Sequence, residues 1–379
     1  MTVVLHVLEA LEGGTARHVT DLVRHVDDIT HHVAVPPRRV GGMTDTLAVP
    51  AMEAAGATVH RLDMRRMPLS PRNAASLVGL RRLVSRLRPD IVHGHSAIGG
   101  ALARLAAADS RARRVYTPNG LHPSVIAMNL ERGLGALTDR WIAVAPSEAA
   151  VAEARGIASR GRMVTIPNGI ALRTVDSDTE GGSSADTRRG VDIRHLLGLA
   201  GEGPLIGFVG RLVAQKAPEM VIEATALLCR QRPDVKAVMI GSGPREDAVR
   251  SLIRERGLTE SVHLVPYLPR AATVMDQFDV LLLPSRYEGC PYTVLEAMRA
   301  GTPVVLSDAV GNRDLVVDGL TGRLVRQGHP EETAAALVDV VDDPGAARRR
   351  AEAAEARLAE RHDVRHMAAA TAAVYAELA

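Results

Sequence analysis

Cysteine is nearly absent from this chain of 379 residues, which contains only Cys229 and Cys290. The two residues lie far apart in sequence and show no metal-ligand spacing, so neither a disulfide framework nor a zinc site is indicated. This pattern fits a reducing cytoplasm, and we therefore expect a cytoplasmic protein.

Long apolar runs are also missing. No stretch approaches the ~18 apolar residues that a transmembrane helix requires. The N-terminal sequence TVVLHVLEALEGG is interrupted by His6 and Glu9 and has no basic leader, so it predicts a first strand and loop, not a signal peptide. The basic run at residues 81–88 leaves a peripheral membrane contact open, although such residues more often form a solvated helix face. Nothing in the sequence indicates the oligomeric state.

Aromatic residues make up 2% of the chain, and the formal net charge is +2 at pH 7. So few aromatic rings leave few platforms on which single-stranded bases could stack. A charge this small gives no electrostatic reason to bind a polyanion. Nucleic acid is therefore disfavoured as a partner, while the 46% of hydrophobic residues is typical of a soluble globular protein.

What the chain does contain is a regular alternation of short apolar runs and helical patterns. Strands are predicted at residues 3–8, 33–35, 58–62, 91–93, 115–117 and 141–144, and again at 205–209, 235–240, 262–265, 280–283 and 304–306. Helical patterns such as the one at 75–87 lie between them. This alternation predicts doubly wound parallel sheets, and the length predicts two domains.

The domain boundaries follow from changes in composition. Residues 173–194 are polar and rich in Gly and Ser, which predicts a surface excursion near a boundary. We predict an N-terminal Rossmann-like domain over residues 1–190, a C-terminal one over 191–360 and a terminal helix over 361–379. The segment 346–379 forms helix strongly, and its predicted apolar face, which would dock on a domain, consists of Val364, Met367, Ala368, Thr371, Val374 and Tyr375.

The most informative stretch is PSRYEGCPYTVLE at residues 284–296, directly after the apolar run VLLL. The run predicts a buried strand that stops at Pro284, followed by a loop with Glu288 and a helix with Glu296. Both carboxylates can then face the crevice at the carboxyl end of the sheet, where open α/β folds hold ligands. An ionised carboxylate accepts hydrogen bonds, so two of them in this crevice would suit the hydroxyl groups of a ligand such as a sugar nucleotide.

The loop and helix start between these glutamates suit a phosphate. Pro291 favours the first turn of a helix that runs to about Ala300, with Gly301 as its C-terminal stop. The free N–H groups of that turn point into the same crevice and can bind an anion. The candidate contacts of a sugar nucleotide here are Gly289, Cys290, Pro291 and Tyr292.

This E-x7-E arrangement, with the sequence YEGCPYTVLEAM, resembles the signature of the retaining family-4 glycosyltransferases. The resemblance implies the GT-B fold, in which two Rossmann-like domains face each other across a cleft, and it covers nearly the whole chain. It also implies that Glu288 touches the transferred sugar and that Glu296 holds the ribose of the nucleotide. The competing interpretation is a pair of solvated glutamates, which is the usual state of such residues.

A second motif, GRLVAQKAPE at residues 210–219, follows a predicted strand and brings Arg211 and Lys216 to the same edge. A guanidinium and an ammonium near helix starts suit a diphosphate, because a leaving nucleoside diphosphate accumulates negative charge. The motif resembles the GR-x4-K of the same family, whose two cations bind the donor pyrophosphate. We expect Glu288, Arg211 and Lys216 to be the catalytic residues, although an isolated Arg and Lys are more often only solvated.

The N-terminal half offers weaker candidates. Gly13 and Gly14 lie at the first predicted turn between strand and helix, where they allow close approach to a phosphate or sugar or form only a tight turn. Similar enzymes use this turn near the diphosphate and the acceptor. In HGHSAIGG, His95 could position an acceptor hydroxyl, but a capping or satisfied loop histidine is the commoner case.

One motif departs from the family pattern. Similar glycosyltransferases carry a His directly after the Thr-Pro pair, facing the donor sugar, whereas YTPNGLHP has Asn119 there. Asn exchanges hydrogen bonds but takes no proton near neutral pH. We rank Asn119 above His122 as the contact of the donor sugar.

Together these features predict a retaining glycosyltransferase that moves a hexose-type sugar from a UDP- or GDP-sugar to a hydroxyl acceptor. By the resemblance it needs no metal and no cofactor. A nucleotide-sugar epimerase and a non-catalytic nucleotide-sugar-binding module are the alternatives. An NAD enzyme is disfavoured, because the turn GSGP at residues 241–244 lacks the third Gly of a dinucleotide fingerprint.

Overall fold

The computed structural model of the protein describes residues 1–11, 13–37, 47–172, 191–199, 201, 203–268 and 270–379. The chain divides into two compact units. Unit 1 comprises Met1–Gly169 and Val364–Ala379, and unit 2 comprises Ile170–Asp363. The boundary predicted at residue 190, and most of the predicted surface excursion, lie outside the described residues.

Unit 1 alternates strands with helices, as expected for a doubly wound fold. Within the described residues its strands are β1 (Thr2–Leu8), β2 (Ile29–Val35), β3 (Thr58–Arg61), β4 (Ile91–His95), β5 (Arg113–Thr117), β6 (Arg140–Ala143) and β7 (Met163–Thr165). The helices between them are α1 (Gly14–His25), α2 (Ala48–Ala54), α3 (Pro71–Leu87), α4 (Ala97–Ala106), α5 (Val125–Gly135) and α6 (Pro146–Ala154). The strands form one parallel sheet in the order β3-β2-β1-β4-β5-β6-β7. The order therefore reverses between β1 and β4.

Unit 2 repeats this plan. Its strands in the described part of the chain are β8 (Leu205–Val209), β9 (Lys236–Ile240), β10 (Val262–Val265), β11 (Val280–Leu283), β12 (Val304–Ser307) and β13 (Arg323–Val325). Its helices are α7 (Ile193–Leu197), α8 (Pro218–Leu228), α9 (Glu246–Glu255), α10 (Tyr292–Ala300), α11 (Asn312–Leu315), α12 (Pro330–Asp342) and α13 (Pro344–Arg361). The strands form a parallel sheet in the order β10-β9-β8-β11-β12-β13. Here the order reverses between β8 and β11.

The apolar runs become central strands because both faces of each sheet are covered by helices. All four residues of β11 are fully buried. Three strands of unit 2 have the bounds predicted from sequence, at residues 205–209, 262–265 and 280–283. Two doubly wound parallel sheets confirm the predicted fold class.

The C-terminal segment forms two helices, and the terminal helix predicted over residues 361–379 is the second of them. Helix α13 ends at Arg361, and α14 (Val364–Leu378) begins three residues later. At the break, a segment distant in sequence contacts the chain, because Asp363 forms a parallel bridge with Ile170, whose N–H donates to the His362 carbonyl at 2.8 Å. The predicted apolar face of α14 is its buried face, and it packs in the core of unit 1.

No helix in the described part of the chain is both long enough and apolar enough to cross a bilayer.

Candidate functional site

In unit 2, two predicted site residues meet where the strand order reverses. Lys216 ends a short 3-10 turn (Ala214–Lys216) in the loop after β8, and Glu288 lies in the loop after β11. The Lys216 Nζ lies 2.7 Å from Glu288 Oε1, and both side chains are largely buried. Open α/β sheets bind ligands at the carboxyl ends of the two strands where the order reverses. The ion pair therefore lies at the position where sheets of this kind bind ligands, which makes it the candidate site of unit 2.

Neighbouring loops hold Glu288 in place. Its backbone N–H donates to the Val310 carbonyl at 2.9 Å, and the Gln215 side chain donates to the Tyr287 carbonyl at 3.0 Å. At Gly311, where φ is +85°, an added Cβ would lie 2.1 Å from the Gly289 carbonyl oxygen. Only glycine allows the backbone after β12 to approach this closely. The Glu288 loop is thus packed between the segments that follow β8 and β12.

Helix α10 begins just beyond Glu288. Pro291 has an extended backbone (φ −71°, ψ 118°) and precedes the helix, so it does not occupy the first turn as predicted. Gly301 ends the helix in the left-handed conformation, as predicted. Glu296 lies one turn into α10 and is half-buried, whereas Cys290 and Tyr292 are buried. The first-turn amides of α10 therefore follow the Glu288 loop directly.

The charges at this edge interact with one another. Burial raises the pKa of Tyr287, the Glu288 carboxylate raises it further, and Arg211 opposes both effects. Arg211 and Glu288 thus both lie near this phenol. An ammonium has three N–H donors and an ionised carboxylate about four acceptor positions. Lys216 and Glu288 can therefore each bind a ligand while they remain paired.

The GSGP turn, which follows β9, packs against the loop that contains Arg211. A Cβ at Gly243 would lie 2.4 Å from the Leu212 carbonyl oxygen, and the Leu212 N–H donates to the Ser242 carbonyl at 3.0 Å. Gly241 has φ +141°, which favours glycine. The interpretation as a tight turn between strand and helix is confirmed.

In unit 1, the loop after β1 carries the predicted glycines. Gly13 has φ +74° and ψ −154°, a combination that favours glycine, and α1 begins at Gly14. The Glu9 carboxylate accepts hydrogen bonds from the Ser96 hydroxyl and from the Gly99 N–H at 2.8 Å. Glu9 thus ties the segments after β1 and β4 together where the strand order of unit 1 reverses. Sequence reasoning missed this residue, because no motif surrounds it.

His95 is not a loop or capping histidine, and that interpretation was wrong. It is the last residue of β4 and is fully buried, because the strand extends two residues beyond its predicted end. Its Nε2 lies 3.1 Å from His6 Nδ1. Burial lowers its pKa well below the usual value, and His93 and His6 lower it further. His95 is therefore a neutral imidazole in the core of unit 1.

Asn119 follows β5 in a left-handed conformation (φ +55°). Its Nδ2 donates to the Thr117 carbonyl at 3.4 Å, while its buried Oδ1 has no hydrogen-bond partner among the described residues. The next amide, Gly120 N–H, donates to the buried Glu148 carboxylate at 2.7 Å. His122 is exposed. Of the two candidates, Asn119 presents the buried acceptor atom.

A buried charge network lies beneath α5, the helix after the Asn119 loop. Arg104 is fully buried, its guanidinium carbon lies 3.8 Å from the ring centroid of Tyr116, and its Nη2 donates to Glu131 at 2.8 Å. The Tyr116 hydroxyl donates to the same carboxylate at 2.9 Å. Burial and the Glu131 carboxylate raise the pKa of Tyr116, so the phenol keeps its proton. The network fixes α5 to α4 and β5.

The two parallel sheets define a two-domain Rossmann-like protein of the GT-B fold. Sequence comparison agrees with this class. Residues 12–174 match the family described as Glycosyltransferase Family 4, and residues 192–357 match the family described as Glycosyl transferases group 1. The chain belongs to the family-4 glycosyltransferases of the GT-B fold.

Two curated relatives illustrate the similarity. The chain is 32% identical to the alpha-D-kanosaminyltransferase of Streptomyces kanamyceticus over 197 residues, which cover 51% of each chain. It is 27% identical to the putative glycosyltransferase EpsD of Bacillus subtilis over 278 residues, which cover 70% of this chain and 71% of the relative. The chain spans about half the length of most of the curated relatives it matches.

Solved structures resemble the whole chain. The complex of Anabaena HepE with UDP and glucose has a TM-score of 0.82 at 20% identity, with 100% of both chains covered. Sucrose-phosphate synthase of Thermosynechococcus elongatus has a TM-score of 0.81 at 18% identity, with 100% of this chain and 99% of the other covered. At this level of identity the likeness concerns the fold.

Proposed function

We propose that the protein is a retaining glycosyltransferase that transfers a hexose-type sugar from a nucleoside diphosphate sugar to a hydroxyl acceptor. The observation that carries the proposal is the Lys216–Glu288 pair at 2.7 Å, located where the strand order of unit 2 reverses. Family membership supports sugar transfer, and the complex of HepE with UDP and glucose makes UDP-sugars the first donors to test.

Different residues of unit 2 bind different parts of the donor. Arg211 and Lys216 bind the diphosphate, where negative charge develops as the bond to the sugar breaks. Glu288 accepts hydrogen bonds from the sugar, and Glu296 accepts them from the ribose. The turn from Gly289 to Tyr292 presents amides to the phosphates.

Transfer proceeds on one face of the sugar. The bond from the anomeric carbon to the diphosphate breaks and the bond to the acceptor oxygen forms, while the departing phosphate takes the acceptor's proton. This scheme needs no protein base, metal or other cofactor. In unit 1, Asn119 and Gly14 are the candidate contacts of the donor, and Gly13 and His122 are the candidate contacts of the acceptor. His95 is fully buried and is therefore not among them.

The test is release of nucleoside diphosphate from a panel of UDP- and GDP-sugars, with and without glycoside acceptors. We expect one donor to be turned over, slowly by hydrolysis and faster with an acceptor, and an NMR spectrum of the product that shows the donor's anomeric configuration. A protein that binds a donor without releasing diphosphate would be a binding module, and an inverted product would refute retention.

Two matched lysine variants test whether diphosphate release depends on the candidate site. Lys216→Ala should lower diphosphate release roughly 10- to 100-fold, because a hydrogen bond to a charged group contributes about 1.5–3 kcal/mol. Lys236, the chain's one other lysine, donates to the Glu260 carbonyl at an exposed edge of unit 2. Lys236→Ala should leave release unchanged, and equal losses in the two variants would contradict the assigned role.

A further inference from the structure

Three imidazoles lie together inside unit 1. His6 on β1 is the register partner of His93 on β4, and His95 lies two residues further along the same face of β4. All three are fully buried, and one ring nitrogen from each lies within 4.8 Å of the other two. Nitrogens that bind one tetrahedral zinc at about 2.0–2.1 Å lie roughly 3.4 Å apart. The three rings thus need to move by about 1 Å or less to share an ion.

Hydrogen bonds fix which nitrogen of His6 carries the lone pair. The Val26 carbonyl can only accept, so the His31 Nε2, 3.1 Å away, must carry a hydrogen. In the neutral ring, His31 Nδ1 then accepts from His6 Nε2 at 3.1 Å. His6 Nδ1 is left with its lone pair, and it faces His95. A metal-ligating histidine has this arrangement, since its other nitrogen donates to an outer partner that fixes the ring.

The cluster also contains an unsatisfied atom. His95 Nε2 lies 3.1 Å from His6 Nδ1, but the buried His95 Nδ1 has no hydrogen-bond partner in the described part of the chain. His93 contacts the Tyr375 hydroxyl at 2.6 Å and the Thr117 hydroxyl at 2.8 Å, so it can release one and keep the other as its outer partner. If the His95 proton moves from Nε2 to Nδ1, the facing nitrogens of His6 and His95 both become ligands.

We propose that His6, His93 and His95 form a buried site for a divalent transition-metal ion of the zinc class. Imidazole nitrogens suit Zn²⁺, Ni²⁺, Cu²⁺ and Fe²⁺, whereas Ca²⁺ and Mg²⁺ prefer oxygen ligands. The ion would join β1 to β4 and stabilise unit 1. The site lies outside the proposed donor machinery, so its test does not depend on sugar transfer.

The first experiment uses the full chain without an affinity tag. After dialysis against a chelator, the protein is titrated with Zn²⁺ and, separately, with Co²⁺. We expect one ion per chain, visible absorption bands of tetrahedral Co²⁺, and a melting temperature that rises by about 5–11 °C at 100 times the dissociation constant. A wild-type protein that binds neither ion would overturn the proposal. The three histidines would then be a hydrogen-bonded structural cluster without a metal.

A matched variant locates the ion. His60 Nε2 lies 3.2 Å from His32 Nδ1 on neighbouring strands of the same sheet. This second imidazole pair is similar, but within the described part of the chain no third metal-ligating residue joins it. His95→Ala should weaken Co²⁺ binding at least tenfold and abolish the tetrahedral bands, while His60→Ala should bind like the wild type. Equal affinity in both variants would place the ion elsewhere and refute the site. If His95→Ala does not fold, the wild-type titration and spectrum decide alone.

Discussion

Removing one partner of the buried Arg104–Glu131 pair should destabilise unit 1 strongly. In Glu131→Ala, Arg104 would keep only the Gly100 carbonyl, at 2.9 Å from its Nε, and the face of the Tyr116 ring, and the Tyr116 hydroxyl would lose its acceptor. The Arg104 Nη1 already has no partner among the described residues. The variant would thus leave a fully buried guanidinium without an ion-pair partner among the described residues.

The size of the effect follows from this burial. Breaking a buried ion pair by removing one partner costs about 3–5 kcal/mol. For a unit of 150–250 residues, each kcal/mol lowers the melting temperature by about 2–4 °C, so we expect a decrease of roughly 6–20 °C. The double variant Arg104→Leu, Glu131→Leu should lose less than Glu131→Ala alone, because it leaves no unpaired charge.

Calorimetric melting and urea titration measure these changes. The control is Glu153→Ala, which removes an exposed ion pair with Arg160 in the same unit and should leave stability unchanged. A Glu131→Ala protein as stable as this control would show that the guanidinium reaches water. A double variant whose loss equals the sum of the losses of Arg104→Leu and Glu131→Leu, each measured alone, would show that the charges act independently.

Three further predictions concern the candidate site. Arg211→Ala should lower turnover about tenfold or more while circular dichroism shows an intact fold, and unchanged turnover would remove Arg211 from the diphosphate site. Asn119→Ala should reduce transfer much more than His122→Ala, and the opposite order in a kinetic assay would exchange their roles. In Gly311→Ala the new Cβ would lie 2.1 Å from a carbonyl oxygen at φ +85°, so both melting temperature and donor affinity should fall, and a variant unchanged in both would show that the Glu288 loop can move away.

The sequence predicts continuous apolar strands better than short, partly exposed ones. VLLL at residues 280–283 is continuous, apolar and bounded by Pro284, so the strand has clear limits. The edge strands β7 and β13 were not predicted, because each has only three residues and is partly exposed, which leaves no periodic signal. The start of α14 lies three residues after the predicted residue 361, because the boundary depends on the pairing of Asp363 with Ile170, far away in sequence.

The site shows the same limit. Motif spacing brings Lys216 and Glu288 to one edge of the sheet, but their direct contact depends on β8 lying beside β11, which sequence spacing does not reveal. The histidine cluster was missed for the same reason. The alternation His93-x-His95 is visible in the sequence, whereas the contact of His6 with both depends on the β1–β4 register.

In the proposed function, the donor binds at the carboxyl edge of unit 2, and the two glutamates have separate roles. The measurement is calorimetric titration of Glu288→Gln and Glu296→Gln with the bare nucleoside diphosphate and with the intact donor, both chosen from the release screen. Glu296→Gln should weaken both ligands roughly 10- to 100-fold, since a carboxylate that accepts from a ribose hydroxyl contributes about 1.5–3 kcal/mol. Glu288→Gln should leave the affinity for the bare diphosphate unchanged and lower the transfer rate. Equal losses of diphosphate affinity in the two variants would contradict this division, and no loss in either would place the donor elsewhere.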